Sequence, residues 1–169
     1  MMNILLSRRG FGIGLSAVLL PAGQARAREV IELTWDDLLP QGAAPLAAAL
    51  RGVVQHEAAT LAQQQPVSSG FRTDWNGKTV RMPGFVVPLD HAGVGVTTFI
   101  LVPYVGACIH VPPPPANQLV LVTTKRPYEI RDLFDPVKVT GVLSASETAT
   151  ELAEIGYALS AERIEAHKL

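Results

Sequence analysis

Four consecutive prolines, Pro112, Pro113, Pro114 and Pro115, constrain this chain more than any other feature of it. Each fixes φ near about −65° and lacks a backbone N–H, so the run can form neither the interior of a helix nor a central strand. It has to be a stiff connector of polyproline character, with regular structure stopping on either side. The chain's single cysteine, Cys108, lies just upstream in Val-Pro-Tyr-Val-Gly-Ala-Cys-Ile-His-Val (102–111). Cys108 and His110 are two apart, so in an extended backbone the thiol and the imidazole emerge on the same face. A rigid loop would then present a soft and a borderline metal ligand together.

The N-terminus reads as an export signal. Ser7-Arg8-Arg9-Gly10-Phe11 precedes an apolar, acid-free run over 12–20, and Ala25-Arg26-Ala27 supplies small residues where a signal peptidase reads. The arginine pair followed by Gly and Phe fits the twin-arginine type. Residues 1–27 are therefore expected to leave after Ala27, with the mature protein in the periplasm. The apolar run is too short to span hydrocarbon, which takes about 20 residues, and no later segment is long and apolar enough. Losing Arg8, Arg9 and Arg26 leaves 11 basic residues against 15 acidic, a net charge of −4. A net acidic domain without basic clusters is a poor nucleic-acid binder. One cysteine in an oxidising compartment makes no internal disulfide, so it is buried, metal-bound, reactive or paired with another chain.

Residues 28–70 read as an N-terminal strand and helix extension with a linker, and 71–169 as the main domain. Val30, Ile31 and Leu33 mark a first strand over 29–33, and Thr34-Trp35-Asp36-Asp37 a capping box opening a short turn that Pro40 ends. Leu46, Leu50, Val53, Val54 and Leu61 recur at helical spacing over 45–61, with His56 on the solvated side. Thereafter come short β-rich runs. The first, 78–82, follows the turn pair Asn76-Gly77; Pro83-Gly84 interrupts it and 85–87 resumes it. Others are 97–102, 118–124, 137–143 with a bulge at Gly141, 157–159 and 163–165. A further helix is expected over 144–155, capped by Ser146 or Thr148, with Leu152 and Ile155 inward. Strands without alternating helices exclude a parallel α/β sheet. The expected fold is mainly β, a small closed or partly open antiparallel barrel of the oligonucleotide/oligosaccharide-binding (OB) type with an N-terminal helical extension.

Three stretches together carry a resemblance: Gly84-Phe85-Val86-Val87-Pro88-Leu89, the Cys-x-His-x-Pro-Pro-Pro-Pro-x-Asn-Gln signature from Cys108 to Gln118, and Val139-Thr140-Gly141-Val142-Leu143. Over roughly 31–165 the chain resembles an uncharacterised bacterial family of exported proteins, a domain of unknown function. Some members look associated with zinc-regulated transport operons. The resemblance implies a metal-handling accessory of a membrane transporter.

The residues make their own case for a metal. Zinc takes tetrahedral nitrogen and sulfur ligands and holds a bound thiol as thiolate. Cys108 and His110 supply two ligands, and Asp90 or His91, at the end of a preceding strand, is the candidate third. Copper(I) is the alternative, since thiolate selects it too. Two other readings stand beside it. Cys108 with His110 is a candidate nucleophile and base for a cysteine enzyme, lacking an identified third residue. Alternatively the loop is a non-metal interaction module: Cys108 is a small buried residue, Tyr104, Pro112 and Pro113 offer a docking surface, and the Asn117 and Gln118 amides satisfy the loop's own unpaired carbonyls, supplying the donors its prolines lack.

Overall fold

Pro83 does not break its strand. Residues Thr79–Pro88 form one ten-residue strand, β2 (β1 being Ile31–Glu32), and the reason is the period of two along it. The Arg81 carbonyl accepts the Leu33 N–H on the β1 side, while the Val86 N–H donates to Asp135 O on the opposite side. Pro83, two residues after Arg81, therefore turns its missing N–H to the β1 side. There β1 has ended after pairing Arg81, and the next neighbour starts only at Phe85. No ladder hydrogen bond is lost.

This computed structural model describes residues 29–43, 60, 62–90, 93 and 95–168. The export signal, the helix expected over 45–61 save Thr60, and both His56 and His91 lie outside the described residues. The remaining strands are β3 (Val96–Val102), β4 (Val120–Tyr128), β5 (Pro136–Ala149) and β6 (Glu154–Ala166). They form one six-stranded sheet in the order β1-β2-β3-β4-β6-β5, and β2 also pairs with β5. Five strands thus hydrogen-bond in a cycle, with β1 attached to β2 outside it.

The sheet is mixed, not antiparallel throughout as expected: β1–β2 and β4–β6 run parallel. Five is an odd number, and a cycle of five strands cannot alternate in direction all the way round. The helix expected over 144–155 is likewise replaced. β5 continues to Ala149, and a tight turn leads into β6, where Thr150 Oγ1 accepts the Leu152 and Ala153 N–H groups. Weak helical signals in a stretch rich in Ser, Ala and Thr lose to cross-strand pairing with Ile155, Tyr157 and Ala158, the first two fully buried. Nor do Asn76-Gly77 join two strands; they close a turn ahead of β2. The capping box forms with a twist: Asp37 Oδ2 accepts both the Thr34 N–H and the Thr34 hydroxyl, at 2.7 and 2.6 Å.

Apolar side chains pack on both faces of the sheet. Val80, Met82, Phe99, Leu101, Val122, Val139 and Tyr157 belong to the main core. Alternate residues of the same strands, Val87, Ile100 and Val102, face a second cluster that includes Cys108, Leu119 and Phe134. The loop after β3 is thus a second layer laid on the sheet. The register of β5 and β6 shifts between Thr140 and Gly141, where the bulge was expected. A Cβ on Gly141 would lie 2.2 Å from the Ser160 carbonyl oxygen, which is fixed backbone. Gly141→Ala is expected to cost about 2 kcal/mol or more, read as a lowered midpoint in urea unfolding.

Candidate functional site

The conformation of the loop after β3 decides what Cys108 can do. The Gly106 carbonyl accepts three N–H groups, from Ile109, His110 and Val111, at 3.4, 2.9 and 3.2 Å, which coils the chain tightly. Cys108 sits in that coil at φ 68°, in the left-handed region that costs a residue with a Cβ about 1 kcal/mol. The extended geometry that would set Cys108 and His110 on one face is therefore absent. Cys108 points into the second cluster and is 2% exposed, while His110 is exposed. The His110 ring lies 6.2 Å from that of Phe134, tilted by 47°. Burial pushes the Cys108 thiol up to about 12, so at neutral pH it stays protonated.

The rest of the signature also turns inward. All four prolines are buried, Tyr104 is half-buried, and its hydroxyl donates to the Pro112 carbonyl at 3.4 Å. Burial, and behind it the Cys108 sulfur, raises the Tyr104 phenol to about 12. Asn117 and Gln118 are fully buried. Asn117 Nδ2 donates to Gly70 O and Ser69 Oγ at 2.8 and 3.0 Å; Gln118 Nε2 donates to Trp35 O and Asn117 O at 2.8 and 3.0 Å. These amides do satisfy carbonyls, but chiefly those of the N-terminal extension.

Asp90 is engaged locally. Its carboxylate accepts the Thr97 hydroxyl and the N–H groups of Thr97 and Thr98, pinning the start of β3 to the end of β2. The Thr97 hydroxyl first, then those N–H groups, hold Asp90 well below the usual range, at about 2. A zinc site needs three or four donors converging within about 2.0–2.3 Å, and copper(I) needs a thiolate converging with at least one other soft donor. Among the described residues no three His, Cys, Asp or Glu side chains gather, the sulfur is sealed, and the Asp90 oxygens are taken. As placed, Cys108, His110 and Asp90 do not converge on such a metal.

Two features carry no clear signal in the sequence. Gln65 pairs with the backbone of Glu154 as a strand residue does, its Nε2 donating to Glu154 O at 2.8 Å and its Oε1 accepting the Glu154 N–H at 2.8 Å. The same Nε2 reaches Pro114 O at 2.9 Å, so one amide ties the extension to β6 and to the proline run. Beside it opens a groove of about 900 Å³ between residues 62–71 and the β5–β6 turn, floored by Phe71, Ala116 and Ile155. A glutamine ahead of a proline reads only as a helix stop, and a groove between segments 80 residues apart has no local pattern.

Comparison with known proteins agrees with this architecture. The sequence pattern of the family described as protein of unknown function (DUF3299) matches residues 35–166. The crystal structure of a DUF3299 family protein from Pseudomonas aeruginosa PAO1 is similar, with 32% sequence identity and a TM-score of 0.69, covering 85% of this chain and 98% of that one. None of the curated proteins matches the chain.

The sealed thiol predicts that iodoacetamide at pH 6 leaves Cys108 unmodified in the native protein and alkylates it fully in denaturant at higher pH, read by intact mass. For Asp90 the folded pKa lies below the ordinary 3.8, so its contribution to stability is complete above about pH 4 and is lost as pH falls toward 2. Asp90→Asn is expected to flatten that limb of the stability profile in an acid series of thermal melts.

Proposed function

The chain belongs to the DUF3299 family, proteins of unknown function, and from that premise we propose that it is an exported, non-enzymatic binding module serving a membrane-transport assembly. In this reading the signal is cleaved after Ala27 and the mature protein works in the periplasm. The five-stranded cycle is an OB-type barrel, a reading supported by the β2–β5 closure and the parallel β4–β6 pair. The proline loop is a structural wedge on the outer face of the barrel. What the module offers a partner is its surface, and the groove beside Gln65 is the concave part of it.

One observation carries this reading: apart from the exposed His110, the polar and reactive side chains of the signature are turned inside the fold. The Cys108 thiol is buried and protonated, and the Asn117 and Gln118 amides hold the N-terminal extension. Thiolate, the species that attacks carbonyl carbon, is scarce at a pKa of about 12, so the cysteine-enzyme reading finds less support. The zinc accessory reading remains the direct competitor, because it needs only that the loop turn Cys108 outward beside His110.

Zinc decides between them. Protein purified under reducing conditions and dialysed against excess zinc, then against buffer, is expected to retain well under one zinc per chain by elemental analysis. Cys108→Ser and His110→Ala are expected to leave that figure unchanged. Retention of one zinc per chain that either substitution abolishes, with the melting transition intact, overturns the module in favour of the metal carrier.

A further inference from the structure

The pair Asn76-Gly77 reads in the sequence as a hairpin turn, but in the fold it occupies an exposed turn ahead of β2 and is clasped to β5. Asn76 Oδ1 accepts the Ala145 N–H at 2.7 Å, and the Gly77 N–H donates to Leu143 O at 2.9 Å. The Leu143 N–H in turn donates to Lys78 O at 3.1 Å, so two alternate residues of one strand hold both members of the pair. From there the regular β2–β5 ladder takes over, starting at Thr79 with Val142.

Asparagine followed by glycine is chemically labile for a steric reason. The backbone nitrogen after an asparagine attacks the side-chain amide carbon and closes a cyclic imide, and a Cβ on the following residue hinders that approach; glycine has none. Packing gives no shelter here. Both residues are exposed, and a Cβ placed on Gly77 would meet nothing within 4 Å. The shelter comes from hydrogen bonds. To attack, the Gly77 nitrogen has to give up its proton and turn toward Asn76 Cγ, whereas Leu143 O holds that proton and fixes the peptide plane. The side-chain amide has to swing to meet it, whereas the Ala145 N–H holds its oxygen.

We infer that Asn76 is a self-modification site guarded by this clasp: when residues 76–78 open from 143–145, the pair closes to an imide that hydrolyses to aspartate or isoaspartate. The inference is independent of the binding-module reading. In the first step the Gly77 N–Asn76 Cγ bond forms and the Cγ–Nδ2 bond breaks, and the proton of the Gly77 nitrogen leaves with Nδ2 as ammonia. Solvent water then opens the imide at either carbonyl. The two products differ in what they do to the fold. Aspartate keeps an oxygen for the Ala145 N–H. Isoaspartate routes the main chain through Cβ, which adds an atom to the backbone and carries the Gly77 N–H off Leu143 O, so the clasp does not reclose.

The test ages the mature protein at mildly alkaline pH and follows the tryptic peptide Thr73–Lys78, which contains the pair, by liquid chromatography and mass spectrometry. Loss of the amide is expected to be at least about tenfold slower in the folded protein than in the chain unfolded by guanidinium chloride. It is expected to speed up with denaturant below the global transition, because opening the clasp exposes far less than unfolding the sheet. Aged protein enriched in isoaspartate is expected to melt below the parent, and Asn76→Asp close to it. The inference is overturned by equal or faster loss in the folded chain, the Ala145 N–H then acting as a donor to the oxyanion that forms on Asn76. It is also overturned by a rate that stays flat until global unfolding, or by isoaspartate protein that melts with the parent. None of these readouts depends on zinc retention, so the inference and the module reading fail separately.

Discussion

A single buried phenol holds the two parts of this protein together. Tyr157 is fully buried in the core of the sheet, where its hydroxyl needs both a donor and an acceptor. It donates to Leu38 O at 2.8 Å and accepts the Arg72 N–H at 2.7 Å, so the N-terminal extension and the segment leading into β2 meet on one oxygen. Phe71 then meets the Tyr157 ring edge-on at 5.9 Å. Removing the hydroxyl would strand two backbone groups as well as a side chain, and the wall of the groove would lose its anchor. Gln65, Asn117 and Gln118 repeat the device at the edges, each using a side-chain amide where the extension has no strand to pair with.

The cysteine loop follows from the same economy of polar groups. Proline carbonyls accept hydrogen bonds but proline supplies no donor, so a run of four has to be served by donors outside it, as the Gln118 N–H serves Pro115 O. Tyr104 and Gln65 do this for Pro112 and Pro114. The coil around Gly106 delivers the chain into that run, and the left-handed residue within it is Cys108. A small, weakly polar side chain suits a buried inward corner there, which gives the thiol a packing role against Ile100, Val102 and Leu119.

The length of β5 links fold to surface. Its first half is paired on both sides and closes the cycle; its second half projects past the start of β2, where Asn76, Gly77 and Lys78 bond Leu143 and Ala145, and beyond Ala145 its partner among the described residues is β6. The N-terminal extension meets the other edge of the β5–β6 ribbon, where Gln65 takes both backbone groups of Glu154. The groove lies between residues 62–71 and the β5–β6 turn.

Much of the β content was legible in the sequence, because β-branched runs bounded by Gly, Pro and Asn are local signals. The strands around Phe99, Val122 and Val139 and the bulge at Gly141 come from residue chemistry and short spacing; the same chemistry marks Asn117 and Gln118 as donors to carbonyls, but to those of their own loop, whereas folding gives them Gly70 and Trp35. Continuity of β2 through Pro83 and the strand at 144–149 did not, since each depends on which neighbour lies alongside. The same holds for the site. Composition and spacing determined that one cysteine and one histidine share a proline-stiffened loop; they did not determine that the thiol faces inward and the ring outward. That was decided by backbone handedness at Cys108 and by the apolar face of β3 waiting beneath it, and packing between distant segments is information that no local pattern contains.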